Sequence, residues 1–552
     1  MLRFEKLQLT TRTCMIMAFL VLFAVLLHRL LQFIRIYIWN PLRYRRAMQR
    51  QGVSGPTPYL MTGNLPEVQA LKAESWKRPM NGISHDYVDR LFPHYRLWTE
   101  KYGPRFLFWL GPHPVILETD PDLIKEVFSS DHKGPYAKYG PQTALSKKVT
   151  GDALFALNGS KWLHRRRAVR PAFQGQLLEG LVEPVMKSTK AILVDEWGKR
   201  LSEAGGRDCC IEDIVPHLAA LTGDVIARAL FRSSYDESNH AFEQHKELIK
   251  LEFYKQPLPC SWTPHSILGY ITVAYQRFRR RRELHQSILT TVKGMVEKAL
   301  AQESVQKNCP HKDFLSLLLA VNKDPGTVAG GLQLSTKDLI QEARSFYTAG
   351  YQAPATTLNW IFMLLAQHPV WQDRIYEELK EVAGDTGILT TQVLNSLNNL
   401  SMVIYESLRL YTPAPEAHRT AVRDVQLGNI RILKGTSVSI CIPRLHRLPE
   451  FWGEDANEFN PERFGGGLSS ARKHSVAYMP FSFGPRYCVA RTFALLEIKC
   501  ILAMIVQRFR FQLSPNYVHA PVIIGVGIQP KHGLPIVLSR REGTPLLAEN
   551  VQ

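Results

Sequence analysis

A cysteine on a glycine-bent loop at the start of a helix can become a thiolate. One such cysteine stands in "PFSFGPRYCVAR", residues 480–491. Phe481, Gly484, Arg486 and Cys488 follow F-x-x-G-x-R-x-C spacing, and the helical run "RTFALLEIKCILAMIVQRF" starts directly after them. There the sulfur meets unpaired backbone N–H donors and the positive end of the helix dipole, which lower the thiol pKa and favour the anion. A thiolate so placed can serve as the axial ligand of haem iron. Gly484 allows close backbone approach, Phe481 can shield the sulfur, and Arg486 is suited to a propionate. Taken alone, Cys488 would read as an ordinary buried thiol, as most lone cysteines do.

It does not stand alone. Glu406 and Arg409 in "YESLRLYTP" lie three residues apart, on one face of a helix. Arg463 follows in "FNPERF", Trp162 and Arg166 occur in "KWLHRRRAVRPAF", and Arg419 in "EAHRTA". In this order, with the cysteine loop, the chain resembles the cytochrome P450 superfamily over essentially its whole length. The resemblance implies haem b (iron protoporphyrin IX) with Cys488 as its metal ligand. It further implies a structural charge cluster of Glu406, Arg409 and Arg463. Trp162, Arg166, Arg419 and Arg486 would then meet the propionates, with Phe481 and Gly484 beside the sulfur. "WGEDANEFNPERF", "FALLEIKCILAMIVQRF" and "NYVHAP" are similar to plant microsomal members, in the clan of cytokinin trans-hydroxylases, brassinosteroid-inactivating hydroxylases and gibberellin oxidases. One departure falls inside the cysteine loop, where Ala490 replaces the family's usual glycine.

A second departure is larger. The segment "AGYQAPATTLNW" (Ala349–Trp360) lies where that family's long helix crosses the distal face of the haem, with Ala349 and Gly350 beside the pocket. The family carries A/G-G-x-D/E-T-T/S there, and its acid and first threonine hand protons to the oxygen being reduced. Trp360 and "HPVWQ" fix the register without a gap, so Gln352 occupies the acid position, Ala353 the alcohol position and Pro354 the next. Sliding the alignment onto Thr356-Thr357 needs a three-residue insertion and still leaves no carboxylate. Gln352 hydrogen-bonds but is no acid, and Pro354 removes the N–H that the Gly350 carbonyl would use. The proline is expected to lock a distortion already usual in that helix. Three readings follow: a monooxygenase drawing protons through water or its substrate's own hydroxyl; an isomerase or dehydratase of oxygenated substrates needing neither dioxygen nor reductase; and a haem-binding paralogue with little turnover.

The remaining sequence must position these groups. After residue 100, helical patterns dominate ("PDLIKEVFSS", "EPVMKSTKAILVDEWGKRL", "HQSILTTVKGMVEKALAQ", "TTQVLNSLNNLSMVIYESLRLY"). Strand-like runs are fewer: a hairpin around Gly111-Pro112, then Val425–Pro443 and "GIQPKHGLPIVLSRR". No strand–helix alternation, repeat or phosphate-binding glycine loop is present. The fold class is mainly α with a smaller β region, a P450-like fold preceded by one membrane anchor helix. "NKDPGTVAGGLQLSTKD" reads as a Gly-rich loop, with Ser335-Thr336 and Asp338 as helix-capping residues.

The uncharged run Cys14–Leu27, extended by "LLQFIRIYIW", reads as a retained anchor rather than a cleaved signal, because no small-residue cleavage site follows. Arg43, Arg45, Arg46 and Arg50 outnumber Arg3, Lys6 and Arg12, placing the body on the cytosolic side. The expected divisions are a luminal-side N-terminus (1–12), an anchor helix (13–39), a basic, proline-rich neck (40–65) and a haem-thiolate catalytic domain (66–552). The net charge of +19 comes without any zinc-finger or RNA-binding signature. The run "QRFRRRRELH" is therefore expected to be a solvated helix face, and nucleic acid is not an expected partner. Eight cysteines with no CxxC pair describe reduced thiols rather than a disulfide scaffold. The resemblance implies as partners dioxygen (O2), a hydrophobic small molecule, the endoplasmic reticulum membrane and NADPH-cytochrome P450 reductase, whose acidic face a basic surface would steer.

Overall fold

The computed structural model describes residues 2–541, apart from 174–175, 207, 232–234, 254–263, 306–313, 315–333, 385–387 and 526. The chain opens as one helical rod: α1 (Leu2–Ile34), a π-helical turn (Arg35–Trp39) and α2 (Asn40–Gln49) follow without a break. Within it, Met15–Gln49 is, among the described residues, the one stretch long and apolar enough to cross a membrane. Its apolar side chains from Met15 to Leu31 are exposed, whereas α2 buries Pro41, Tyr44 and Met48. Thr436 Oγ1 donates to Tyr44 Oη at 2.6 Å, and the Tyr44 ring meets Trp109 edge-on at 5.8 Å. Tyr44, Met48 and Val53 belong to a hydrophobic cluster with the sheet. The stretch expected to be a neck is therefore packed against the body.

That sheet has strand order β1-β2-β5-β4-β3, built from β1 (Phe106–Leu110), β2 (His113–Leu117), β3 (Tyr136–Ala137), β4 (Glu416–Ala421) and β5 (Ser437–Cys441). The β1–β2 hairpin turns at Gly111-Pro112, with Leu110 opposite His113, as the alternation there predicts. β2 and β5 pair in parallel, and the other neighbours are antiparallel. In β3–β4 the register sets Ala137 opposite Thr420, which brings Lys138 into the neighbourhood of His418 and Arg419.

The helices relevant to the site are α3 (Pro121–Ser129), α4 (Gly159–Val169), α5 (Val215–Phe231), α6 (Tyr235–Phe253), α7 (Thr336–Gln367), α8 (Asn398–Leu410) and α9 (Arg491–Arg508). α7 runs through the core. It starts at a capping box in which Ser335 Oγ and the Asp338 carboxylate each accept the other's backbone N–H, satisfying two otherwise orphaned donors. α5 lies so close to it that a Cβ on Gly350 would stand 2.5 Å from Ile226 Cδ1. Between β6 (Pro521–Ile524) and β7 (Gly527–Pro530), a tight turn reaches back to α7.

One sequence expectation changes here. The run "TTQVLNSLNNLSMVIYESLRLY" is not one helix, because it breaks at Leu397. The Glu378 carboxylate accepts from the N–H groups of Asn399 (2.8 Å) and Leu400 (3.2 Å), capping α8 from a distant segment. α7 remains helical through Pro354. Thr222 Oγ1 of α5 donates to the Tyr351 carbonyl at 2.9 Å, so the neighbouring helix holds this turn in place. The run "QRFRRRRELH" lies on a helix, where Arg279 pairs with Glu283 (3.0 Å) and Arg280 with Glu247 of α6 (2.7 Å). Most of the Gly-rich segment before Ser335 falls outside the described residues.

Candidate active site

The cysteine loop is held by its backbone. Cys488 N–H donates to the Phe481 carbonyl at 2.9 Å, and Gly484–Arg486 form a 3-10 turn. Gly484 sits at φ +70°, and a Cβ there would lie 2.0 Å from the Phe128 carbonyl of α3, so both conformation and space require glycine. Ala490 is the N-cap of α9 at φ −95°, a conformation any residue adopts, and the exchange from glycine brings no backbone strain. Phe481 is half-buried against the main core, with the Arg491 guanidinium 5.8 Å from its ring.

The thiol's acidity does not follow the helix-terminus expectation. Burial pushes the Cys488 pKa up, and the Ala490 N–H with Arg166, Lys138 and Arg491 only partly pulls it back. The side chain is accessible to solvent, yet it lies deep in the fold. Depth decides, because a narrow opening gives little of the bulk screening that stabilises an anion. A coordinated metal ion deprotonates such a thiol outright, so ligation rather than the helix dipole would supply the thiolate.

Around the loop, four cations converge. Arg486 lies over Trp162 (4.5 Å to the ring centre), and its Nη2 donates to the Leu157 carbonyl (2.9 Å) and Asn158 Oδ1 (2.8 Å). Arg166 lies over Tyr487 at 4.6 Å. Arg419 is buried above Phe128 (4.2 Å); its Nη1 donates to the His418 carbonyl, and its Nη2 has no partner. Lys138 Nζ lies 3.6 Å from the Phe155 ring centre, and Asn158 clamps the Lys138 backbone on both sides, at 3.0 and 2.7 Å. Burial lowers all four pKa values, Arg419 to about 9 and Arg486 to about 10; repulsion within the group adds to the effect at Lys138, Arg419 and Arg486, and Arg170 repels Arg166. Burial with the same charges brings His418 down to about 3, so it is neutral.

None of the four forms an ion pair with an acid among the described residues. Like charges buried together demand a counter-anion. An orphaned guanidinium nitrogen, four cations and a thiol on one loop fit a metal-bearing ligand with two carboxylates, which describes haem. Cys488 would hold its iron, and Arg166, Arg419, Arg486 and Lys138 its propionates. Lys138 and His418 had no motif to mark them; strand register brings them in.

The supporting charge cluster is fully inside. Arg409 and Glu406 are both 0% exposed and bind at 2.6 and 2.7 Å, while Arg409 also donates to the carbonyls of His446, Ala456 and Glu458. Arg463 Nε stands 3.5 Å from Glu406, and its other nitrogens cap the Trp452 and Asp455 carbonyls. The triad thus ties α8 to the segment leading to the cysteine loop.

On α7 the residues from Pro354 to Ala366 are buried, but Ala349 and Ala353, one turn apart, are exposed. Gly350 faces Ile226 instead, which makes it a helix-packing residue in this geometry. Gln352 is half-buried. The nearby hydroxyls are occupied: Thr356 Oγ1 accepts from Gln529 (2.6 Å), and Thr357 Oγ1 donates to the Ala353 carbonyl (2.9 Å). Neither acid nor free alcohol borders Ala349 and Ala353 on this helix.

The family model described as Cytochrome P450 matches residues 74–534. A cytokinin hydroxylase of Arabidopsis thaliana is 34% identical over 528 residues, covering 94% of this chain and 97% of that one. The echinocystic acid 23-monooxygenase of Saponaria officinalis is 33% identical over 516 residues, covering 92% and 95%. Among solved structures, retinoic acid-bound cyanobacterial CYP120A1 shares the fold with a TM-score of 0.69 at 20% identity, over 89% of this chain and all of that one. The cationic cradle, the cysteine loop and these relatives agree: the chain belongs to the cytochrome P450 family, as a haem-dependent monooxygenase.

Proposed function

We propose that this chain hydroxylates a hydrophobic small molecule of hormone or terpenoid type. Electrons come from NADPH through cytochrome P450 reductase, at the endoplasmic reticulum membrane, with the catalytic body on the cytosolic side. Haem supplies dioxygen binding and reductive activation. The chain's own residues do the rest: Cys488 ligates, the four cations seat the carboxylates, and Ala349 and Ala353 leave room for substrate. The relatives' names support a small hydrophobic substrate, and the arginines after the anchor helix support the cytosolic orientation.

The observation that carries the mechanistic part is the bare Ala349–Ala353 ridge. With Thr356 and Thr357 engaged elsewhere, α7 offers no acid–alcohol relay, so protons reach the site through water or a hydroxyl carried by the substrate. The same ridge favours a second reading, in which the enzyme isomerises or dehydrates an already oxygenated substrate without dioxygen or reductase. Reconstitution with reductase, NADPH and a panel of plant hormones and terpenoids separates them by mass spectrometry. NADPH-dependent products gaining one oxygen support the first reading. Products formed from hydroperoxides without reductase, and no others, would replace it.

A further inference from the structure

Gln352 is polar, half-buried and uncommitted on a helix whose nearby threonines are all engaged. Among the described residues its carboxamide has no hydrogen-bond partner. On the same helix, Thr348 is bonded to His245 (2.7 Å), Thr356 to Gln529 (2.6 Å) and Thr357 to the Ala353 carbonyl (2.9 Å). The amide of Gln529 is used twice, by Thr356 and by Asn359. Gln352 has neither its donor nor its acceptor engaged.

Its surroundings explain why a carboxamide suits this position. A Cβ on Gly525, at the tip of the β6–β7 turn, would lie 2.9 Å from both Gln352 Nε2 and Ile249 Cγ2. The turn is bare at that point, and the facing residue of α6 is apolar. His245, one helical turn earlier, is spent on Thr348. Neither the bare turn nor Ile249 offers a cation to a carboxylate at 352, whereas a neutral amide pays no charge-burial penalty. On an α-helix, residue 352 projects roughly 60° from residue 349 and about 100° from 353. The amide thus flanks the exposed Ala349–Ala353 ridge along which a substrate lies.

We infer that Gln352 is a specificity-determining residue whose carboxamide pairs with a hydroxyl or carbonyl group on an otherwise apolar substrate. A carboxamide donates and accepts, so it matches a neutral oxygen function better than a carboxylate or an ammonium group. A substrate hydroxyl held there sits next to Ala353, where this helix lacks an alcohol. The inference rests on the preceding reading of a small hydrophobic substrate against α7.

The test uses the full-length holoenzyme and pairs of terpenoids that share one carbon skeleton and differ by a single hydroxyl. Dissociation constants come from substrate-induced spectral shifts and, independently, from equilibrium dialysis. Wild type binds the hydroxylated member about 3- to 10-fold more tightly, the range of one net hydrogen bond. Gln352→Leu removes that preference and leaves affinity for the deoxy member unchanged. A preference that survives Gln352→Leu, or none in the wild type, overturns the inference while leaving the substrate class standing. If Gln352→Leu weakens both members equally and lowers the thermal midpoint, its role is packing. If wild type binds no terpenoid pair at all, the substrate reading fails and the inference with it.

Discussion

Arg419 gives the most informative perturbation, because the fold and the cofactor want opposite things from it. The guanidinium is 3% exposed, one nitrogen has no acceptor, and burial brings its pKa from 12.5 to about 9. At about 1.4 kcal/mol per tenfold change in proton affinity, keeping it charged at neutral pH costs the fold roughly 5 kcal/mol. Arg419→Met removes that cost at similar volume. It also loses a hydrogen bond to the His418 carbonyl and a cation–π contact with Phe128, together roughly 3 kcal/mol. The cofactor-free protein should then gain roughly 2 kcal/mol in urea unfolding. The holoprotein should lose haem to excess apomyoglobin about 10- to 150-fold faster, for the loss of a charge-assisted bond to a propionate. The sign with pH is fixed: the folded-state pKa lies below the unfolded one, so the penalty is full below pH about 9 and fades above it. The stability gap to Arg419→Met should therefore stay constant up to pH about 9 and narrow as pH rises above it. Unchanged haem loss, or a cofactor-free protein made less stable, would show that Arg419 is a structural cation and refute the cradle.

Three further perturbations follow from the geometry. Gly484→Ala combines a left-handed backbone with a methyl 2.0 Å from the Phe128 carbonyl, and should cost about 3 kcal/mol or more, read as lost haem content at normal expression. Arg409→Met strands the Glu406 carboxylate and three backbone carbonyls; at about 3–5 kcal/mol for breaking a buried pair, no folded haem protein should be recovered, whereas Glu406→Gln should retain some. Because burial raises the Cys488 pKa and ligation releases its proton, haem affinity of the cofactor-free protein should rise about tenfold per pH unit below that pKa. Titration of haem binding from pH 6 to 9 should show this slope for wild type and none for Cys488→Ala.

What could be read without a structure were the groups whose spacing is local. F-x-x-G-x-R-x-C puts a cysteine, a glycine and an arginine within one turn-and-helix unit, and the Glu406–Arg409 pair needs only a helix to face one way. The capping box at Ser335 and the turn at Gly111-Pro112 are equally local. Lys138 and His418 are legible only through the pairing of β3 with β4, across a long stretch of chain. The thiol's pKa direction was missed for a related reason: a sequence displays a helix terminus but not the depth at which it is buried. The break at Leu397 depends on Glu378, a carboxylate in another helix. The continuity of α7 through Pro354 depends on Thr222 from α5, which nothing near the proline announces.

The junction between anchor and body has a consequence for how the enzyme meets its surroundings. α1, the π turn and α2 form one continuous helix, and α2 is fastened to the sheet by Tyr44 and Met48. A flexible tether would let the catalytic body tumble above the bilayer; a helix bolted at its base does not. Tilt of the transmembrane segment becomes tilt of the whole molecule, so lipid thickness can set which face points along the membrane. If the electron donor proposed above lies in the same membrane, their encounter then loses rotational as well as translational freedom. Loosening the bolt would return that freedom and slow the encounter without any change of surface charge.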